Sequence, residues 1–344
     1  MLGTVLRRVG AFLYRAGLAP LVYRVMPRTP RVVAYHACDP VPSDYTEGLG
    51  VNTTPEVFAQ HLAFYQSHYS IIDPAILENP GPHPPRALAI TFDDGYRSVH
   101  EHAFPLLRRE GLPAAVYLVT GVLESAGLIW VNELNWWLRR RPAIARRCVA
   151  EAFDLSAPDP PETLLEGVRA RFDAERMARL LGAIHAAADQ EAISECAAAK
   201  LYLDWTQIAE MHAAGIRFGC HTITHPSLPR LDSLTREREV SGSRRAVEGR
   251  LGECRSFAYP FGDVDVATRE TAVRAGFATL MEVGGLNWPW QPTAIARIPV
   301  QAMTAAELFA ELEVVAPVKG LLRRLRYRLR ARTLNTRAPG SRRG

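Results

Sequence analysis

The chain has 344 residues, 48% of them hydrophobic, which is enough to bury a full core as one large domain with an insertion or as two domains. No apolar run reaches the roughly 18 residues of a membrane-spanning helix. Five scattered cysteines without a C-x-x-C pair argue against a disulfide framework or a thiolate zinc site.

The net charge of +5 is unevenly distributed. Residues 1–31 contain six arginines, residues 319–344 contain nine arginines and one lysine, and neither segment contains an acid. Removing these 16 charges from +5 leaves residues 32–318 at −11. The pI of 9.1 therefore describes the ends of the chain, and no nucleic-acid partner is expected.

The first residues predict an amphipathic helix over 1–17, which suits a membrane surface and a place on the domain equally well. Arginines interrupt its apolar centre and no small-residue cleavage site is clear, so a cleavable signal is not expected. We therefore expect a cytoplasmic protein or one bound peripherally at the inner membrane face. The apolar residues that share one face are Leu2, Val5, Leu6, Val9, Phe12 and Leu13.

Short apolar runs then alternate with segments of helical periodicity, which predicts parallel strands in an open or closed α/β sheet. The predicted strands are 31–36, 70–72, 87–92, 114–119, 216–221, 256–259, 278–283 and 294–300. The predicted helices are one that opens at Thr54-Pro55 and those over 97–110, 205–214, 234–251 and 266–275.

The alternation stops between residues 122 and 203, where helical spacing predicts an inserted subdomain. Its tryptophans Trp130, Trp136 and Trp137 would either stack on sugar rings or anchor helix packing. A last basic amphipathic helix is predicted over 318–332, with an anionic membrane, a nucleic acid or solvent as competing environments. The expected units are a basic segment (1–31), an α/β domain (32–121 and 204–316), the insertion (122–203) and a basic helix and tail (317–344).

Two adjacent carboxylates, Asp93 and Asp94, follow the strand Ala87–Phe92, and Gly95 starts the next turn. Chemistry in α/β folds lies at the carboxyl ends of strands. Because neighbouring strand side chains diverge, the pair can serve one site only if the backbone turns there. One carboxylate could then bind a cation while the other accepts a proton, although a solvated Asp-Asp-Gly turn is the alternative.

Two histidines, His221 and His225, lie four residues apart just past another predicted strand. A tight turn would bring both imidazoles to one side, as two neutral nitrogen ligands for one metal. With a carboxylate from another strand end they form a His₂–carboxylate set that leaves a coordination position for water. A divalent ion there would lower the pKa of that water to about 7.

Three ordered motifs, TFDDGY (Thr91–Tyr96), HTITHP (His221–Pro226) and FAYPFG (Phe257–Gly262), resemble those of the polysaccharide deacetylases. This is the NodB-homology or carbohydrate esterase family 4 group, and the resemblance covers roughly residues 32–300. It implies an α/β fold of the distorted (β/α) barrel type, hydrolysis of N-acetyl groups on amino sugars, and a divalent metal. Zinc is the expected ion, with cobalt or nickel as alternatives.

The resemblance also implies roles for individual residues. Its general base is Asp93, its metal ligands are Asp94, His221 and His225, and its oxyanion donor is the backbone N–H of Phe261. Our candidates for substrate contacts are Tyr259, Pro260 and Trp130.

Two departures from the family pattern stand out. Ala258 occupies the third-motif position where relatives often carry an arginine that orients the base, and we do not expect nearby Arg255 to replace it. The late Leu-x-His motif of the general acid is also missing, since Arg297–Val300 occupies that region. Some exopolysaccharide-modifying members take the acid from an early Tyr-His, which makes His36 the candidate here.

The leading hypothesis is a metal-dependent N-deacetylase that acts on a glycan or glycan precursor. A deformylase or deacetylase of a lipid-linked amino sugar is the second enzyme hypothesis, since basic amphipathic ends suit a membrane-borne substrate. A carbohydrate-binding module with an inactive site is the third, because of the two departures.

Overall fold

Parallel strands form the centre of the protein in a computed structural model that describes residues 2–123, 127–155, 160–197, 200–287 and 289–323. The strands are β1 (Arg31–Tyr35), β2 (Ser70–Ile71), β3 (Ala87–Phe92), β4 (Ala115–Leu118), β5 (Arg217–Cys220), β6 (Ser256–Ala258), β7 (Thr279–Val283) and β8 (Ile295–Pro299). Their order is β1-β8-β7-β6-β5-β4-β3-β2, and β1 also pairs with β3. Seven strands therefore close into a distorted (β/α) barrel, as predicted, and β2 flanks it beside β3.

Helices surround the barrel and supply the connections between its parallel strands. The described α-helices are α1 (Leu2–Arg15), α2 (Ala19–Val25), α3 (Pro55–His68), α4 (Phe104–Arg109), α5 (Trp130–Arg140), α6 (Pro142–Phe153), α7 (Pro161–Ala170), α8 (Ala174–Ala187), α9 (Gln190–Ala197), α10 (Trp205–Ala213), α11 (Ser233–Leu251), α12 (Val266–Arg274) and α13 (Ala305–Ala310). A π-helical segment, Glu311–Val315, extends α13, and residues 316–323 continue as α-helix.

The barrel strands are buried on both faces, which explains why they read as continuous apolar runs. All six residues of β3 are buried. A small cluster fills the barrel, whereas a larger one packs the strands against the helices. The small cluster includes Val32, Ala89, Ala115, Tyr117, Ala258, Met281 and Ile295.

Predicted strand bounds agree with the structure to within one residue at each end. The helix α3 opens as predicted, because Thr54 Oγ1 accepts a hydrogen bond from the N–H of Val57. The predicted helix over 97–110 differs, since a π-helical turn over Val99–Ala103 precedes α4. Pro105 has no N–H to continue a regular α-helical ladder, which accounts for the irregular turn.

The helices α5 to α9 lie in the sequence between β4 and β5, where the insertion was predicted. Trp136 and Trp137 are 2% and 0% exposed, and their rings meet edge to face at 4.8 Å. These two tryptophans are packing anchors, which decides between their two predicted roles.

The N-terminal helix α1 packs on α13 through Gly10 and through Tyr14, whose ring lies 5.3 Å from that of Phe309. A Cβ at Gly10 would lie 2.6 Å from the Cβ of Ala310, so only glycine permits this approach. Among the described residues no helix combines the length and the apolar character that crossing a bilayer requires. Of the predicted last helix, the part after residue 323 lies outside the described residues.

Candidate metal centre and active site

The carboxylate pair lies at the carboxyl end of β3. Asp94 has φ 68° and Gly95 has φ 71°, so the chain leaves the strand through two left-handed residues. Asp93 and Asp94 are each 4% exposed. The backbone turn that the sequence requires between the two side chains is therefore present, and both line one cavity.

The two histidines lie in a tight turn after β5, with φ values of 72° at Thr222 and 60° at His225. The turn is fixed by Glu239 of α11, whose carboxylate accepts hydrogen bonds from the N–H groups of Ile223 and Thr224 at 2.8 and 2.9 Å. Glu239 is 5% exposed and was not anticipated from the sequence. A buried glutamate that binds two backbone donors holds the turn in one conformation.

Three side chains converge in the way the sequence predicts. Asp94 Oδ1 lies 3.5 Å from His221 Nε2 and 3.3 Å from His225 Nε2. One ligand atom from each of the three residues lies within 4.8 Å of the others. They are therefore close enough to share one ion.

The donor set fits a divalent cation. His221 Nδ1 donates a hydrogen bond to the Ala258 carbonyl at 2.7 Å, which leaves the Nε2 lone pair directed away from that bond. Asp94 Oδ1 is buried without a hydrogen-bond partner among the described residues. A cation would satisfy this oxygen, which otherwise faces imidazole nitrogens across 3.3–3.5 Å.

The residue that sequence reasoning missed is Arg297 on β8. Its Nη1 and Nη2 donate hydrogen bonds to Asp93 Oδ1 and Oδ2, both at 2.6 Å. The arginine is fully buried and its guanidinium lies over the Tyr117 ring, 5.2 Å from the centroid. Arg297 therefore orients the candidate base, a role that we could not assign to Ala258 or Arg255.

A signal for this pairing was present in the sequence. Arg297 is the single charge inside the apolar run 294–300, and a charge buried in a strand requires an opposite charge beside it. Arg255, by contrast, pairs with Glu78 at 2.8 Å on the surface, so it does not act on the base.

The surroundings of Asp93 and Asp94 shift the pKa values of the two carboxylates in opposite directions. Burial raises the pKa of Asp93, but the charge and hydrogen bonds of Arg297 outweigh it, so the pKa lies well below its usual range. Burial and the neighbouring Asp93 charge raise the pKa of Asp94 to about 8. Asp93 is therefore the ionised carboxylate, whereas Asp94 favours ionisation only beside a cation.

The candidate ligands and the candidate acid are neutral imidazoles. Burial lowers the pKa of His221 to about 4 and that of His225 well below its ordinary value. Neutral imidazole is the form that binds metal. Burial also lowers the pKa of His36, whose side chain is 28% exposed and whose Nε2 lies 3.9 Å from Asp93 Oδ2.

The two aspartates and the three histidines line one cavity of about 450 Å³, and the helical insertion forms part of its wall. Glu162, Glu166 and Arg169 of α7 line it. The Arg169 guanidinium carbon lies 5.2 Å from the centre of the Phe261 ring, which in turn lies 4.6 Å from the His225 ring. The insertion therefore helps to define the space available to a substrate.

Trp130 and Phe261 also line the cavity. Trp130 is only 5% exposed, its Nε1 donates to the His225 carbonyl at 3.0 Å, and its ring packs near those of Phe172 and Phe261. Its evident role is to hold the histidine turn. Phe261 has φ 60°, a strained value for a residue with a side chain, beside the positive φ of Gly262.

Tyr259 and Pro260, two of the candidates for substrate contacts, do not line this cavity. Both are buried, the Tyr259 ring packs on Phe257 at 5.2 Å, and neither lines the cavity. Their burial indicates that they pack the third-motif turn, and a contact with substrate stays a prediction.

Comparisons with known proteins show the family and the fold. The family model described as "Polysaccharide deacetylase" matches residues 81–157 and 176–280, more than half of the chain. No curated protein matches the sequence significantly.

Several solved structures share the fold. The Streptococcus pyogenes deacetylase PplD in complex with acetate has a TM-score of 0.57 and 17% identity, with 84% of this chain and 100% of that chain covered. IcaB from Ammonifex degensii has a TM-score of 0.56 and 18% identity, with coverages of 84% and 99%. A de-N-acetylase from Aggregatibacter actinomycetemcomitans has a TM-score of 0.51 and 14% identity, with coverages of 81% and 99%.

Proposed function

This chain belongs to the polysaccharide deacetylase family, and from that premise we propose that it is a metal-dependent hydrolase of N-acetylated amino sugars in a polysaccharide or glycan precursor. One observation carries the proposal. Asp94, His221 and His225 converge within 4.8 Å, next to a second carboxylate that Arg297 keeps ionised. Ligands and base on one cavity wall are what a metal-assisted hydrolysis needs.

Asp94 through a carboxylate oxygen, and His221 and His225 through Nε2, would hold the ion. We propose Zn²⁺, with Co²⁺ or Ni²⁺ as substitutes, because two imidazoles and a carboxylate suit these metals. When bound, the ion supplies Lewis acidity towards the acetyl carbonyl and makes a water easier to deprotonate.

Asp93 acts as the general base in this proposal. Arg297 binds both of its oxygens, so the carboxylate is fixed in orientation and stays charged at neutral pH. It takes one proton from the attacking water, whose oxygen bonds to the acetyl carbon. The carbon–nitrogen bond then breaks, and the free amine and acetic acid leave; the acid gives up its remaining proton to solvent as acetate.

His36 returns that proton to the leaving nitrogen. Its lowered pKa makes the resting side chain neutral at pH 7, so it must receive a proton before it can donate one. Asp93 Oδ2, 3.9 Å from His36 Nε2, is the proposed source. The proton taken from water thus reaches the amine through His36, and the protons balance.

The backbone N–H of Phe261 is the proposed donor to the developing oxyanion. The left-handed values at Phe261 and Gly262 support this, since such turns present backbone N–H groups to anions. The side chain borders His225, so this donor would lie beside the ligands.

The test combines metal analysis with product release. We expect about one divalent ion per chain and acetate release from N-acetylglucosamine oligosaccharides. Asp93→Asn should retain the ion and lose turnover, whereas His221→Ala should lose both. His102→Ala, outside the cavity, is the matched control. A protein that binds no divalent ion would refute the proposal.

Deformylation or deacetylation of a lipid-linked amino sugar is a second candidate, favoured by the exposed apolar residues of α1, such as Phe12 at 66% exposure. Such a surface would bring the protein to a membrane-borne substrate. Formate release from an N-formylated sugar without acetate release from N-acetyl glycans would select this alternative. Bound metal without release of either product would select the carbohydrate-binding module.

A further inference from the structure

The outward side of α1 carries a stripe of large apolar side chains. Leu2, Val5, Val9 and Phe12 are 59%, 56%, 46% and 66% exposed. At 100° per residue these positions share an arc of about 80° on the helix. Isolated exposed apolar residues are ordinary, but a continuous stripe on one helix marks a contact surface.

The stripe faces outward because α1 binds the domain through its opposite side. Gly10 and Ala11 are buried, and Gly10 meets the backbone and Cβ of Ala310. Arg7 Nε also donates to Glu311 at 2.8 Å. The helix therefore packs on the domain and also keeps its apolar face free, so the two predicted environments of this helix are compatible.

Other exposed apolar side chains lie on α2 and on the C-terminal helix. Leu21 and Val25 of α2 are 56% and 75% exposed, and Leu321 of the C-terminal helix is 50% exposed. An apolar groove of about 360 Å³ separates residues 25–27 from residues 317–321. We call α1, α2 and residues 317–322 together the terminal face.

The charge of the terminal face is one-sided. The helices α1 and α2 contain four arginines, Arg7, Arg8, Arg15 and Arg24, and no acid. Arg8 and Arg24 are exposed and form no ion pair with a described residue. Their charges are therefore available to an anionic partner.

We propose that the terminal face docks on an anionic lipid bilayer. An outward apolar stripe flanked by unpaired arginines fits the boundary between acyl chains and acidic headgroups. A protein partner would instead be expected to supply acids to match these arginines. The inference is independent of catalysis and goes beyond the proposed function.

The experiment is sedimentation of the full chain with vesicles. We expect binding to phosphatidylcholine mixed with an equal amount of phosphatidylglycerol, and about tenfold or more weaker binding to phosphatidylcholine alone. Val9→Glu/Phe12→Glu should weaken binding to the mixed vesicles about tenfold or more, and Arg8→Glu/Arg24→Glu should weaken it similarly. Added salt should weaken the wild type.

Matched controls use exposed apolar residues elsewhere. Leu234 and Val266 are 79% and 70% exposed on α11 and α12, so Leu234→Glu/Val266→Glu should bind vesicles like the wild type. An unchanged circular dichroism spectrum would show that Val9→Glu/Phe12→Glu is folded. Equal vesicle binding by Val9→Glu/Phe12→Glu and the wild type would overturn the proposal. So would a wild type that does not bind vesicles and forms a solution dimer that this variant dissociates.

Discussion

Replacing Arg297 with methionine should both destabilise the protein and shift the pH at which it works. Arg297 is fully buried and makes two hydrogen bonds of 2.6 Å to Asp93. Methionine leaves a buried carboxylate without a partner, and breaking such a pair costs about 3–5 kcal/mol. That is a large share of the roughly 5–15 kcal/mol that stabilises a typical domain.

The activity of Arg297→Met should depend on pH in a new way. The guanidinium is what opposes the effect of burial on Asp93, so its loss raises the pKa of Asp93. The acid limb of kcat/KM should therefore move to higher pH, with about a tenfold loss for each unit below the new pKa. Activity should recover as the pH rises.

Two further variants test whether Arg297 acts by pairing with Asp93. Asp93→Asn/Arg297→Met contains no uncompensated charge, so urea unfolding should find it more stable than Arg297→Met alone. Arg297→Lys retains one charge without the paired donors and should give an intermediate acid limb. Identical acid limbs for wild type and Arg297→Met, or strictly additive unfolding free energies, would contradict the assignment of Arg297.

Three other predictions concern the site. Glu239→Ala frees the histidine turn and should weaken zinc binding about 10–100-fold in a competition assay. The control Glu237→Ala, on the same helix and half exposed, should leave affinity unchanged; equal effects would refute the role of Glu239. His36→Ala should abolish acetate release while the metal content measured by mass spectrometry stays at the wild-type level, and near-normal turnover would exclude His36 as the acid. For metal-free protein, the raised pKa of Asp94 contributes stability that is fully present below pH 3.8 and is lost as the pH rises through about 8. The Tm of the metal-free wild type should therefore fall between pH 3.8 and pH 8. In Asp94→Asn this part of the pH dependence should be missing. Identical curves of Tm against pH for the two proteins would contradict the raised pKa of Asp94.

The strands could be predicted because the physics that forms them is local. Each barrel strand is buried on both faces, so it appears as an apolar run with polar or glycine boundaries. The same argument placed Asp93–Asp94 and His221–His225 at strand ends. Their convergence was an inference from parallel topology, and the 3.3–3.5 Å separations agree with it.

Arg297 and Glu239 could not be placed in this way, since their partners depend on registers and helix rotations that sequence spacing does not fix. Arg297 lies 204 positions from Asp93 along the chain. The sequence also left open which face of α1 packs on the domain. An amphipathic pattern normally indicates that the apolar face is buried. Here Gly10, Ala11 and Tyr14 pack on the domain. Other large residues, such as Val9 and Phe12, face solvent.

Closure of the strands into a barrel determines which strands can supply a side chain to Asp93. Because β1 pairs with both β3 and β8, a side chain from the last strand reaches the first motif as readily as one from the third motif. In this barrel the guanidinium that binds Asp93 therefore comes from β8 and not from the third motif. Relatives that lack the customary arginine should therefore be searched for another one around the inner rim before they are dismissed as inactive.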